Sequence, residues 1–472
     1  MSSRSRAPRA IQQILRTLVV AAFVVSVVSV SFAGHRQFRN NAVGGVSIDT
    51  AGVLREPDIK AREMLLAELR KDIGAPARAL NRPVNLRMIS LRGLHAAIED
   101  ALANNLGVLP DEVRFLGGLQ RIEWVVVDQQ HNDVLFGGPA EGWIVDDNAV
   151  VVGVTTGRPV MRLDDLLVAL RTVKPARDEG ISVSIDPTQE GYRNLAALMK
   201  ELKKNVRVRQ NPRIAELNIK RAFGPQQIKI AGVPRNSHFA RVMTAADYRM
   251  KRYAMALERA PIKGLPSYLD LIKSTRGSST NMNPRWWLTT DYEPLARSED
   301  GMAWKIRGRG VKCMTETDVV NAAGDVRGTG RKSPKAQQWA DLFTQGYDAL
   351  SQRDSVFGEL RNLMDMCVVA ALIEQHQLFE KAGLSLPRMT DPNSDLDIED
   401  WNTPKTVDPQ CSFVRVRGGR WVLTASGGVE IESWDVIDRS EVVPGVEQLR
   451  NRAIRKEDEA AWVWNVQLPR SS

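Results

Sequence analysis

The sequence predicts an α+β protein: mixed helices and antiparallel hairpins in two domains, with a small C-terminal β-meander. Three observations carry this. Phe239, Val242, Met243, Ala246, Met250, Tyr253, Ala254 and Leu257 recur at steps of three and four, one apolar stripe on a long helix. Ile122, Trp124 and Val126 alternate with Glu123, Val125 and Val127 ahead of the polar turn "DQQHND", a strand entering a hairpin. The tail "CSFVRVRGGRWVLTASGGVEIESW" divides short β-rich runs with two glycine pairs, the layout of three strands in a meander. Apolar content of 43% and charged content of 26% over 472 residues supply an ordinary globular core.

Along the chain, "GGVSIDTAGVL" reads as strand and turn. "PDIKAREMLLAELRKD" is a helix with Pro57 in its first turn. "SLRGLHAAIEDALANN" is a helix capped by Ser90 and stopped near Gly107. In the hairpin, Gly117–Gly118 precede one strand and Gly137–Gly138 follow the return strand at Val134 to Phe136. A phosphate loop would need GxxxxGK[ST], and a dinucleotide site GxGxxG between strand and helix. Neither occurs. "LDDLLVALRTV" resumes helical spacing. Beyond a boundary near residue 178 come a strand, two helices, the strand "QQIKIAGVP" and the striped helix, capped by Asn236 or Ser237. "PRWWLTT" and "GMAWKIRGRGVKCMTETDVV" are strands joined by a polar loop. The run Met366 to Ile373 is apolar on all sides and belongs to a centrally buried helix.

The expected organisation is a signal peptide over 1–33, a mixed α/β domain over 34–178, a central α+β domain over 179–390, an acidic linker over 391–410, and a β-meander with tail over 411–472. Arg4, Arg6, Arg9 and Arg16 precede an uncharged run from Thr17, and Ser31 and Ala33 stand at −3 and −1 of a cleavage site. The alternative is an uncleaved anchor. The formal charge of +9 falls to +5 without those four arginines, which supports no nucleic-acid partner. Export would permit one disulfide among Cys313, Cys367 and Cys411, with no pair favoured.

Candidate chemistry is sparse. Ser237, His238 and Asp247 hold the residue types of a hydrolytic trio, but adjacent helical residues point about 100° apart, so Ser237 serves better as a cap. Asp247 and Lys251 at i,i+4 read as a solvent-facing ion pair off the apolar stripe. Asp391, Asn393, Asp395, Asp397, Glu399 and Asp400 alternate as in a calcium loop. Leu396 at the sixth position and Asn402 at the twelfth remove its turn and its bidentate ligand, leaving a solvated linker. None of the five histidines has metal-site spacing, so no metal or cofactor is expected. Glu293, Glu299 and Asp300 lie between the Trp286 and Trp304 strands. They are the candidate catalytic acids if those rings line a sugar-cleaving groove. Trp286 and Trp287 face opposite sides of their strand, one toward the core and one available for contact. The basic stretch Lys200 to Arg213 suits either anionic surfaces or the helix dipole.

The segments "ALANNLGVLPDEVRFLGGLQRIEWVVV", "GGPAEGW", "GRPVMRLDDLLVALR", "AADYRMKRYAM", "GLPSYLDL", "RWWLTTDYEPL" and "ASGGVEIE" together resemble an uncharacterised planctomycete family of exported proteins, domain of unknown function 1598. The resemblance runs from about Gly44 to Trp434. It implies secretion and an envelope or extracellular home, and brings no activity, cofactor or catalytic residue. The resulting expectation is a non-catalytic binding or structural module whose partner is an envelope glycan or another exported protein. Membrane contact would come only through a retained leader. The alternative is an envelope hydrolase acting on glycan or peptide, which two carboxylates converging beside Trp286 or Trp304 would favour.

Overall fold

The computed structural model describes residues 59–104, 108–204, 212–273, 283–321, 323–402, 404–416, 419–454 and 461–467, together with three short strands, β1 (Ala42–Val43), β2 (Val46–Ile48) and β3 (Val53–Arg55). The leader over 1–33, Pro57 and Gly107 lie outside the described residues. Among the described residues no helix is long and apolar enough to cross a membrane.

The longer helices are α1 (Ile59–Asp72), α2 (Leu91–Asn104), α3 (Leu163–Glu179), α4 (Gln189–Lys204), α5 (Pro212–Phe223), α6 (His238–Ala254), α7 (Pro334–Gln345), α8 (Ser355–Gln375) and α9 (Val446–Ala453). The strands continue as β4 (Val84–Ser90), β5 (Trp124–Asp128), β6 (Asp133–Ala140), β7 (Trp143–Val145), β8 (Val151–Gly153), β9 (Ile181–Asp186), β10 (Gln226–Ala231) and β11 (Asn283–Asp291). They end with β12 (Leu295–Arg297), β13 (Ala303–Lys305), β14 (Gly310–Val320), β15 (Val326–Gly328), β16 (Thr406–Val407), β17 (Cys411–Val416), β18 (Gly419–Thr424), β19 (Ser426–Ile431), β20 (Ser440–Val442) and β21 (Val463–Asn465).

The fold is mixed α+β, as the patterning requires. One ten-stranded sheet runs β1-β2-β3-β16-β10-β9-β19-β11-β14-β15, and a seven-stranded sheet runs β20-β12-β13-β5-β6-β4-β21. Two-stranded pairs β7–β8 and β17–β18 complete the set. In the seven-stranded sheet, Val125 and Val127 face the main core while Trp124 and Val126 face a second apolar cluster, which α9 covers with Val446 and Leu449. Both faces of β5 are therefore buried, which is why its two alternating sets are both apolar.

Helices α6 and α8 fill the centre. Every residue of α8 from Ser355 to Ile373 is buried, as the apolar run predicts. It packs against α3 and α6. Asp365 of α8 is tied to both ends of the guanidinium of Arg121, which precedes β5, each at 2.9 Å, and to the hydroxyl of Tyr292, between β11 and β12, at 2.7 Å. Helix α6 contacts β9, β19 and β11 of the ten-stranded sheet. Its apolar stripe is present, but its other faces are interior too.

Two glycine pairs lie elsewhere than their sequence suggests. Gly137 and Gly138 stand inside β6, which runs past Phe136 to Ala140. A side chain at either position would meet a neighbouring carbonyl oxygen, that of Arg87 or Arg121, at 2.3 Å. The expected three-stranded meander is a hairpin of β17 and β18, while the third strand, β19, enters the large sheet between β9 and β11. Gly427 and Gly428 thus make no turn. Gly427 has φ +137°, and a Cβ there would sit 1.6 Å from the Trp286 carbonyl oxygen. Close approach of three backbones is what selects glycine here.

Cys313 and Cys367 are buried free thiols, and Cys411 is buried at the start of β17, so no disulfide forms among them. Replacing Gly427 by alanine is expected to destabilise the protein by on the order of 3 kcal/mol or more. A urea transition measured on Gly427→Ala would show it, and an unchanged midpoint would contradict the packing described.

Candidate functional site

The first turn of α6 begins the site. Ser237 caps the helix: its hydroxyl accepts from the Ala240 amide at 3.1 Å and donates to the Pro234 carbonyl at 2.6 Å. Both capacities are then spent locally, and His238 is free to turn inward. Its Nδ1 lies 2.9 Å from Asp165 Oδ2, on the first turn of α3, and its Nε2 lies 3.4 Å from Glu359 Oε1, on α8. The Trp401 ring meets the imidazole at 4.9 Å between centroids, tilted by 62°. The guanidinium groups of Arg162 and Arg241 stand over the same indole at 5.6 and 5.2 Å. Arg162 also pairs with Glu399 at 3.1 Å.

Trp401 and Glu399 belong to the segment expected to be a solvated acidic linker. It is largely irregular, yet Leu396 and Trp401 are buried, and the Trp401 amide donates to the Asn236 carbonyl at 2.7 Å. Apolar anchors hold it down, which its six oxygen-bearing side chains obscure in the sequence. Asp391 and Asp395 stay exposed, Asp395 paired with Arg388. Among the described residues no three His, Cys, Asp or Glu side chains are grouped to hold a metal ion.

Burial works against a charged His238. Burial is the largest single influence and the Arg162 charge adds to it, but the Asp165 charge and the hydrogen bonds to Asp165 and Glu359 together outweigh both, and the pKa is raised to about 9. At neutral pH the ring is an imidazolium between two carboxylates. Burial alone pulls the Arg241 guanidinium down to about 9. Against this polar cluster lies a cavity of about 20 Å³. Arg162, His238, Glu359 and Trp401 line it together with Val160 and the turn from Ala149 to Val151. Its volume is that of one water-sized occupant.

Asp247 lies nine residues from His238, about 13 Å along the helix axis, so the trio of Ser237, His238 and Asp247 is never assembled. Asp247 and Lys251 form the expected i,i+4 pair, at 2.8 Å, but it is not at the surface: both are almost wholly buried. Lys251 Nζ also donates to the carbonyls of Ile185 at 2.7 Å and Gly427 at 3.3 Å, and the Ile185 amide donates to Asp247 at 3.2 Å. Strand backbones at the helix supply the partners that solvent would have supplied. Burial, partly offset by Lys251, pushes the Asp247 carboxyl up to about 6.

The candidate acids do not gather. Glu293 and Glu299 are exposed, Glu293 lying 3.7 Å from Arg307. Asp300 accepts from the Ser298 hydroxyl at 2.6 Å and pairs with Arg450 of α9. Trp286 is enclosed between Tyr268 and Trp339, and Trp304 stacks on His376, so neither ring has a face at the surface. Trp287 is partly exposed beneath Arg285. The basic stretch starts at the end of α4 and finishes in the first turn of α5, and residues 205–211 lie outside the described residues. Sequence reasoning did not find Arg162, Asp165, Glu359 or Trp401. The usable signal was a charge placed inside an apolar helical run, as in "RLDDLLVAL" and "VFGELRNLM".

Residues 183–268 match the model of a protein family of unknown function, DUF1598. The matched stretch opens in β9, contains α6 with His238 and Lys251, and closes at Tyr268. No curated protein and no solved structure matches the chain.

The raised His238 pKa makes a signed prediction. Its stabilising contribution is complete below the ordinary histidine value and is lost as pH rises through about 9. The loss should amount to about 3 kcal/mol. Urea unfolding at a series of pH values would detect it, and His238→Gln should remove that part of the slope. Lys251→Met should cost about 3–5 kcal/mol by stranding the Asp247 charge, and adding Asp247→Leu should restore much of it. Equal losses in the single and double variants would show that the pair is not coupled.

Proposed function

We propose that the protein is an exported, non-catalytic binding or structural module of the cell envelope or the extracellular space. The observation that carries the reading is the state of His238. A general base near neutral pH needs an unprotonated nitrogen facing a substrate. His238 has a carboxylate at each nitrogen and a raised pKa, which suits a fixed polar wall rather than a proton carrier. The adjoining cavity is scaled to a small group, and its polar lining suits recognition. The basic n-region, apolar run and small residues before Gly34 support export.

A thermal-shift screen of the protein against glycans, peptides and metal salts tests the binding role. A ligand at a hundred times its dissociation constant should add about 2.7 kcal/mol of stability and raise the melting temperature accordingly. Turnover of a glycan or peptide in the same samples would replace this reading with the envelope hydrolase. Cell fractionation with N-terminal sequencing tests export: full-length protein recovered from the cytosol would overturn it.

A further inference from the structure

We infer that the free edge of the ten-stranded sheet, at β15, takes up an extended acidic segment of another protein as an additional strand. The inference deepens the binding role proposed above and rests on it.

Among the described residues β15 pairs only with β14, and it ends the sheet. Its three residues are exposed, within an exposed run from Asp325 to Lys332. The register shows which backbone groups the edge offers. Asp318, Val319 and Val320 stand opposite Gly328, Arg327 and Val326. The Asn321 amide donates to the Asp325 carbonyl at 3.0 Å, and the Thr329 amide donates to the Thr317 carbonyl at 3.2 Å. In an antiparallel ladder, hydrogen-bonded pairs alternate with non-hydrogen-bonded ones. Arg327 therefore bonds to Val319, while the N–H and C=O groups of Val326 and Gly328 point away from β14 to the open edge.

Another polypeptide backbone matches that row of alternating donors and acceptors, which nucleic acids and lipid head groups do not carry. The side chains select its sequence. From Asp325 to Lys335 the cations Arg327, Arg331, Lys332 and Lys335 stand against one carboxylate. That carboxylate, Asp325, is engaged by Asn321 at 2.8 Å and by Gln189 at 2.6 Å, and Glu316 across the hairpin accepts from the Gly330 amide. Among the described residues none of the four cations forms an ion pair. A second copy of this chain is the wrong partner. Two β15 edges bonded through both outward residues would pair Val326 with Gly328 and set Arg327 opposite Arg327, like charge on like. An acidic side chain at that place reverses the sign. Val326, 44% exposed, points to the other face beside Val320, and an apolar side chain fits next to it. The partner is therefore an extended run in which acidic and apolar residues alternate.

Fluorescence anisotropy of a labelled hexapeptide of alternating glutamate and valine, titrated with the full chain, should rise to saturation. The same peptide N-methylated at its valines keeps its charge but loses the amides that would face Val326 and Gly328. It should bind at least about tenfold more weakly. Val326→Pro removes one outward N–H and none of the β14–β15 bonds. Arg327→Glu reverses the sign at an exposed position, and it carries the test if proline disturbs the hairpin. Each variant should weaken binding at least about tenfold with the melting temperature retained. Bound peptide should slow hydrogen exchange at the Val326 and Gly328 amides and leave that of Arg327 unchanged.

No saturable rise, or a methylated peptide or DNA duplex that binds as well as the parent peptide, would refute the added strand and leave at most attraction by charge. A thermal shift with a glycan alongside such a result would keep the binding role on another surface. Cleavage of the peptide during the titration would instead overturn the non-catalytic reading, whatever the anisotropy reports.

Discussion

Near-complete enclosure of helix α6 is the constraint from which the rest follows. From His238 to Ala254 nearly every side chain is buried, charged ones included. Removing an ion from water costs several kcal/mol even after the protein relaxes, so each buried charge must find an opposite charge or a row of dipoles. His238 finds Asp165 and Glu359. Asp247 finds Lys251 and a β9 amide, and Lys251 finds two strand carbonyls. Arg249 finds Asp354, which also takes the Tyr253 hydroxyl at 2.6 Å. The helix is polar on one side and yet almost wholly interior.

This explains why the segment matching the family model is not self-contained. Asp165, Glu359, Asp354, Trp401 and Gly427 all lie outside residues 183–268, yet each supplies a partner to a side chain of α6. The large sheet has the same character. Its β19, from near the end of the chain, lies between β9 and β11, and β16 lies between β3 and β10. Long-range strand pairing and long-range charge pairing converge on one helix. Packing of the matched stretch thus depends on residues more than a hundred positions away.

Periodic features were legible in the sequence. The α6 stripe, the β5–β6 hairpin, the buried centre of α8 and the Ser90 and Ser237 caps all express local rules that a short window contains. Features set by the opposite side of a contact were not. Nothing in "TAADYRMKRYA" says that Asp247 and Lys251 will meet strand backbones instead of water. The pair at i,i+4 was visible and its burial was not. Gly427–Gly428 and Gly137–Gly138 looked like turns because glycine has two uses, and only the neighbouring carbonyls distinguish close approach from chain reversal. The candidate acids failed for a similar reason. Proximity along the sequence to Trp286 and Trp304 did not place Glu293, Glu299 or Asp300 on a shared cleft, because both rings turn inward. Arg87 is the extreme case. It is a fully buried cation in mid-strand, satisfied by Asn465 and by the carbonyls of Gly117, Leu80 and Arg82, none of which a local pattern connects to it.

The two polar clusters of α6 do something that apolar contacts cannot. An apolar helix surface makes nearly equivalent contacts at several rotations and heights, because dispersion and burial depend weakly on direction. Hydrogen bonds do not share that tolerance: they weaken steeply with angle. His238 anchors one end of α6 to α3 and α8, and Lys251 anchors the other to β9 and β19. Two directional anchors separated by more than three turns fix both the azimuth of a helix and its position along its axis.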